Sequence, residues 1–141
     1  MSPDPDRKQR IADAWRSAWD EGDVDALDTL LGPDYVRHGR SGDQNCAALK
    51  AAITGSREAF PDLITTIDGL ISEDNLVAIR WHSSGTHLGT FQDVPATHRT
   101  VTVDGVTTAR FDGVLIVEEW VTWDPVDLFS SLGIISLREI E

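Results

Sequence analysis

Between Arg80 and Asp124 the chain gathers side chains able to move protons and hold oxyanions: Arg80 and His82 one residue apart, His87 in GTHLG, Asp104 in VTVDGVTT, and Asp124 after RFDGVLIVEEWVTW. They stand among β-branched and aromatic residues, the setting of a small-molecule cavity built on a curved sheet. Histidine titrates near neutrality and arginine can hold a carbonyl or enolate oxygen, so Arg80, His82, His87 and the earlier His38 are each competent to complement a base on an opposite wall. Each histidine also has a plainer reading, since a single histidine is most often a satisfied structural hydrogen-bonder. Asp124 ends a strand and is expected to be walled by Trp120 and other apolar groups, where desolvation would tune a carboxylate to exchange protons near neutral pH. On the residues alone the plainer reading of Asp124 is preferred: just before Pro125, it caps a short helix through Leu128 and Phe129.

No metal or cofactor motif accompanies these groups. The four histidines show no His-x-His, His-x3-His or HExxH spacing, there is no GxGxxG or P-loop, and Ser83-Ser84 lacks a nucleophile-elbow context. Cofactor-free chemistry is the expectation.

The elements that must position these residues follow from periodicity. Asp4-Pro5 is expected to open a helix with Ile11, Ala14, Trp15, Ala18 and Trp19 on one stripe, stopped by Gly22. Asp23 is expected to cap a second, short helix carrying Val24, Leu27, Leu30 and Leu31 up to the Gly32-Pro33 break. A third is expected from about Asp43, with Cys46, Leu49, Ile53 and Phe60 inward, ending before Pro61. Strands are then expected over residues 63–71, 76–83, 100–111 and 114–123, where β-branched and aromatic residues alternate with polar ones. Three helices before four strands make an α+β domain, helices on one face of a mainly antiparallel sheet, spanning residues 1–141 as a single unit. The tail after Gly133, IISLREIE, reads as a short strand or a dimer contact.

Strand alternation sets Arg80 and His82 on one face and Val77, Ile79 and Trp81 on the other. A two-residue turn at Asp112-Gly113 would put Glu118, Trp120, Thr122 and Asp124 on one face, opposite Glu119 and Trp123, so Asp124 and Glu119 share the cavity only if a bulge intervenes. Glu119 is then expected to form a cross-strand ion pair with Arg110. Asp104 is disfavoured in mid-strand: the strand is bulged or open to solvent at Asp104-Gly105, the preferred reading, or this carboxylate is a second polar group in the pocket.

Composition narrows the partners. With 24 acidic against 12 basic residues the formal charge of −12 argues against nucleic acid or an anionic membrane, because phosphate binding needs clustered Lys and Arg. Cys46, the only cysteine, leaves no intramolecular disulfide or cysteine-rich zinc site, and with no apolar N-terminal segment the expectation is a cytoplasmic protein. Five tryptophans fit a large apolar cavity for a ring-bearing ligand, although Trp15 and Trp19 on the first helix suit core or lid packing.

The succession AWDEGDVDAL, YVRHG, AFPDLITTIDGLISEDNLVAIRWHSSGTHLGTF, VPATHRTVTVDGVTTARF, VLIVEEWVTWD and DLFSSLG resembles the SnoaL-like polyketide cyclase family of the nuclear transport factor 2-like superfold. The resemblance covers nearly the whole chain. It implies a cone-shaped α+β barrel, a strongly bent sheet with helices enclosing a pocket. It implies also a cofactor-independent cyclase closing a ring in a hydrophobic polyketide-like molecule, of the intramolecular aldol type, and a homodimer joined through the sheet's outer face. Asp124 matches the carboxylate closing the family's W-x-x-x-D pattern, which implies the general acid/base. Arg80, His82 or His87 would polarise the carbonyl, with His38, Trp120, Asp104, Trp15 and Phe60 contacting substrate.

Two alternatives stay open: a relative with changed chemistry (hydroxylation, hydration, epoxide opening or shape-driven cyclisation) and a non-catalytic binding module. Arg80-x-His82 also resembles the arginine and acidic residue of limonene epoxide hydrolases, but histidine replaces the acid, against an Asp-Arg-Asp relay. The family's G-x-P-P-T-G segment reads DVPATHRT, with Asp93 and His98 at the glycine positions, and Ser131 replaces a glutamine before the final LG. These departures alter the cavity mouth.

Overall fold

The computed structural model describes residues 5–133; Asp4, the expected first cap, and the tail IISLREIE lie outside the described residues. Helix α1 (Pro5–Trp15) runs on into a π-helical turn, Arg16–Asp20, and Ile11, Ala14 and Ala18 are buried along the stripe the spacing predicts. A 3₁₀ helix, Val24–Thr29, follows; Asp23 stands before it but makes no side-chain cap.

From Leu31 the chain departs from expectation. Where a helix end and a loop were expected, it forms strand β1 (Leu31–Gly39) and a short return strand β2 (Gly42–Gln44). Helix α2 (Cys46–Ala59) starts three residues past the expected Asp43, because the Asn45 side chain accepts a hydrogen bond from the Ala48 N–H at 2.8 Å. Strands β3 (Ile64–Glu73), β4 (Leu76–Thr86), β5 (Thr100–Asp112) and β6 (Leu115–Trp123) lie where alternation places them, and helix α3 (Pro125–Ser131) closes the described chain. The sheet therefore has six strands, not four, in the order β2-β1-β6-β5-β4-β3. Its edges β2 and β3 do not pair with each other, so the expected barrel is a curved, unclosed sheet.

β1 is held by β6 in parallel and by β2 antiparallel. Its identity is set by a partner some eighty residues away, and Pro33 falls where the β1–β6 register is interrupted between Leu31 and Val36. The remaining strands pair antiparallel as a meander.

Two local details decide which side chains face inward. The β5–β6 turn is Gly113-Val114, one residue later than expected, with Gly113 at the positive φ of 63° that suits glycine. An extra residue is then accommodated in β6: Phe111 faces Ile116, but Arg110 faces Glu118. This bulge sends Glu118, Trp120 and Thr122 outward and Glu119, Val121 and Trp123 inward, overturning the expected Arg110–Glu119 pair and the expected place of Trp120 in the cavity wall. At Asp104-Gly105 the expected bulge is absent, for the β4–β5 register runs unbroken from Leu76–Arg110 to Thr86–Thr100. Asp104 is open to solvent, the other half of that expectation. Gly105 meets a steric demand: a Cβ there would lie 2.6 Å from both the Thr122 carbonyl oxygen and Trp81 Cζ2.

The core lies between the sheet's inner face and the helices, with Val77, Ile79, Ala109, Phe111 and Ile116 packed against Ile11, Ala14, Leu49 and Ile53. Each large aliphatic side chain buried there contributes about 1.5–3 kcal/mol. Arg7 and Arg10 fasten α1 across the hairpin ends: Arg7 donates to the Asp74 and Gly113 carbonyls, Arg10 to those of Val114 and Thr29. Arg57 donates to the Trp19 carbonyl at 2.6 Å and the Leu63 carbonyl at 3.0 Å, tying the π-helical turn to the end of α2.

Candidate functional site

Between the sheet's inner face, α2 and the loop at Thr90–Gln92 lies a cavity of about 1100 Å³. Its apolar walls are aromatic, with Trp15 and Trp19 from the first helical segment, Trp81 and Trp123 from the sheet, and Phe60 and Phe91 beside α2. Trp15 and Phe60 thus stand where the sequence places them. At this volume the cavity suits a ring-bearing molecule.

Polar groups line this cavity from several elements, among them Arg37 of β1, Gln44 of β2, Glu58 of α2, Ser83 of β4, Thr107 of β5 and Glu119 of β6. Glu119, on β6, is 3% exposed and lines the cavity. Its Oε1 accepts a short hydrogen bond from the Tyr35 hydroxyl, while Oε2 is buried with no partner among the described residues. Burial pushes its carboxyl above the usual carboxylate range, against the smaller opposing pulls of the Tyr35 hydrogen bond and the Arg37 charge. Tyr35 is raised too, by burial and then by Glu119, and so stays a neutral donor. Arg37 is the Cα partner of Glu119 on β1 and donates to Gln44 Oε1 at 2.9 Å. On the far side of Glu119, Trp81 Nε1 donates to Thr107 Oγ1 at 3.1 Å. The arrangement supplies a desolvated carboxyl with one oxygen fixed and the other free to take or give a proton.

The residues singled out in the sequence lie elsewhere. Arg80, Asp104 and Asp124 do converge, but on an outer hollow of about 490 Å³ that they share with Asp68 and Thr122. Asp124 is exposed, not walled in, and its Oδ1 accepts from the Val126 N–H at 2.9 Å as the N-cap of α3. His82 faces the same outer side and is held by Asp68 at 2.8 Å. His38, expected at a helix end, is on β1 facing outward, bridging Asp43 at 2.8 Å and Glu118 at 2.6 Å, with its ring 5.7 Å from that of the exposed Trp120. Glu118 takes the Arg110 ion pair expected of Glu119, at 3.0 Å. His87 is fully buried, stacks on Phe60 at 5.3 Å and accepts the Thr97 N–H at Nδ1, so it ties the loop before β5 and does not line the cavity.

Asp93 and His98 have φ of 67° and 62°. Both adopt the left-handed backbone that glycine takes without cost, which accounts for the glycines that the resemblance places there and for strain in this loop.

Glu119 on the cavity wall and Tyr35 bonded to it are the buried polar pair that sequence reasoning missed. A signal was present: adjacent glutamates in a strand must face opposite ways, so one of Glu118 and Glu119 had to enter the domain.

Residues 9–132 match the family model described as SnoaL-like polyketide cyclase. Among solved structures, the chain is similar to AclR of Streptomyces galilaeus, a candidate hydroxylase, at 27% identity and a TM-score of 0.83 over 93% of this chain and 98% of that one. TsrD of Streptomyces laurentii aligns at 25% identity and a TM-score of 0.85, covering 95% and 100%. IdmH of Streptomyces antibioticus, a candidate polyketide cyclase, aligns at 26% identity and a TM-score of 0.77, covering 90% and 98%. No curated protein matches significantly.

Proposed function

Given that the chain belongs to the SnoaL-like polyketide cyclase family, we propose that it catalyses cofactor-independent ring closure of a polyketide-like intermediate, an intramolecular aldol step in which Glu119 exchanges the proton. The observation that carries this reading is the buried, half-satisfied Glu119 carboxyl on the wall of an aromatic cavity. The ionised carboxylate takes a proton from carbon beside a carbonyl; the resulting enolate carbon forms a bond to a second carbonyl of the same molecule; the carboxyl then returns the proton to the new alkoxide. Tyr35 holds Oε1 and leaves Oε2 as the oxygen with no partner among the described residues, the one assigned to proton exchange. The tryptophan walls fold the substrate so that its reacting carbons meet.

Proton exchange tests the assignment without the natural substrate. Naphthylacetone, whose methylene lies between a ring and a carbonyl, should take up deuterium from heavy water faster with the protein than without it. Glu119→Gln should slow that exchange by roughly two to four orders of magnitude, and Asp124→Asn should leave it nearly unchanged. The reverse pattern would return the acid/base role to Asp124 and the outer hollow. No acceleration by the native protein would favour a binding module.

A second reading, hydroxylation in the same cavity, draws on the likeness to AclR. Mass spectrometry of the product separates the two, because ring closure adds no atom and hydroxylation adds one oxygen.

The outer face carries exposed Val106, Trp120, Leu76 and Ile71, which supports a homodimer through that face. Light scattering at micromolar concentration should give the dimer mass, and a monomer mass removes the proposal.

A further inference from the structure

Some cations of the chain are held by carboxylates, and others, Arg7, Arg10 and Arg57, by backbone carbonyls. Arg110 has Glu118 at 3.0 Å, Arg16 has Asp13 at 2.9 Å, and Lys50 has both Asp25 and Asp28. Arg37 is different. It is half-buried, it lines the cavity, and among the described residues its hydrogen-bond partner is the neutral amide of Gln44. Glu119, its neighbour across the β1–β6 pairing, is engaged by Tyr35 and feels the Arg37 charge without being hydrogen-bonded to it. Asp43 and Glu58 also border the cavity without pairing to Arg37; Asp43 is held by His38 at 2.8 Å.

A half-buried guanidinium with no carboxylate in contact gains when an anion arrives with matching geometry. Carboxylate fits it best, because two parallel N–H···O bonds satisfy both partners. The cavity's apolar walls are largely aromatic, which suits a ring system with its charge at one end. We propose that the cavity selects a ring-bearing ligand with a free carboxylate and that Arg37 is the residue that reads it. This rests on the reading of the cavity as the substrate site and adds the ligand's charge. A carboxylate held by Arg37 lies beside Glu119, so the acidic carbon presented to Glu119 is one near the charged end of the molecule.

Anthraquinone carboxylate and its methyl ester share a ring system and differ in charge, and both can be followed by quenching of tryptophan fluorescence from the cavity walls. The native protein should bind the acid about tenfold or more tighter than the ester. In Arg37→Gln the acid should lose that advantage while the ester keeps its affinity. Arg37→Lys, which keeps the charge but loses the fork, should retain part of the preference. Equal affinity of acid and ester for the native protein overturns the inference and leaves the cavity reading standing. A preference that survives in Arg37→Gln also overturns it. Binding of neither probe overturns both. Should Arg37→Gln fail to fold, equal affinity in the native protein still overturns the inference, and Arg37→Lys still tests the role of Arg37.

Discussion

On the outer face of the sheet, charges are settled by strand neighbours: His38 bridges Asp43 and Glu118, Glu118 also holds Arg110, and Asp68 holds His82. On the inner face Glu119 has a phenol for one oxygen and no partner among the described residues for the other. Both faces carry residue types that suggest catalysis, and the difference between them is solvation. A paired, wet carboxylate stays ionised and does little proton exchange, whereas a buried one with a free oxygen has its protonation set by its surroundings. Ionic pairing therefore marks the face whose charges are already satisfied, and an incomplete hydrogen-bond set marks the face proposed for proton exchange.

The largest effect should come from the packing that makes the inner face. Gly105→Ala would drive a Cβ against the Thr122 carbonyl, the Trp81 ring and the Trp123 Cβ, a crowding relieved only by shifting β4, β5 or β6. Urea unfolding should show a loss of about 3 kcal/mol, at the upper end of the range for overpacking. A change near zero would mean that the two tryptophans do not meet across β5, and the contrast between faces would lose its steric basis.

Glu119 supplies the next effect through pH. Its carboxyl is raised in the folded protein above the ordinary value of 4.5, so the folded state binds the proton more tightly than the unfolded chain does. The stability this confers is full below the unfolded value and is lost as pH rises through the folded one, at up to about 1.4 kcal/mol per pH unit crossed. Glu119→Gln has no proton to lose. Its melting temperature should match the native protein's at acid pH and exceed it increasingly as pH rises above the carboxylate range. A constant offset across the range would show Glu119 to be ionised and satisfied, like the carboxylates outside.

His38 gives the smallest effect, because it is partly exposed and screened. Its hydrogen bonds to Glu118 first and Asp43 second raise it above the ordinary 6.5, so its contribution is present at lower pH and disappears as pH rises through the raised value. His38→Gln should lower the melting temperature slightly near pH 6 and not in alkaline buffer, with the difference shrinking in added salt. An equal loss at both would point to the His38–Trp120 ring contact rather than charge.

How far the sequence could be read follows the range of the interactions. The α2 stripe of Leu49 and Ile53, and the β3–β4 and β5–β6 pairs, were legible because periodicity and turn residues act over a few positions. LGPDYVRHG was not, since Pro33, Asp34 and Gly39 break any alternation and its main partner is β6. The site failed at a single position. Moving the turn to Gly113-Val114 and adding one residue before Glu118 inverts the rest of β6, which exchanges Glu118 with Glu119 and turns Trp120 outward. The cap reading of Asp124 needed only local chemistry, Asp before Pro125 at the end of a strand, and the geometry at that position agrees with it.

The parallel seating of β1 on β6 also bears on how the molecule is made. The strands from β3 to β6 meet partners adjacent in the chain, so their loops close at small entropic cost, but Tyr35 and Glu119 are separated by 84 positions. Contacts of that separation are slow to form and limit folding speed. During synthesis, Tyr35 emerges long before the strand that needs it, and the Glu119 carboxyl gains its phenol only once nearly the whole described chain is available. Proton-exchange competence should thus be among the last properties the folding chain acquires, after its secondary structure is in place.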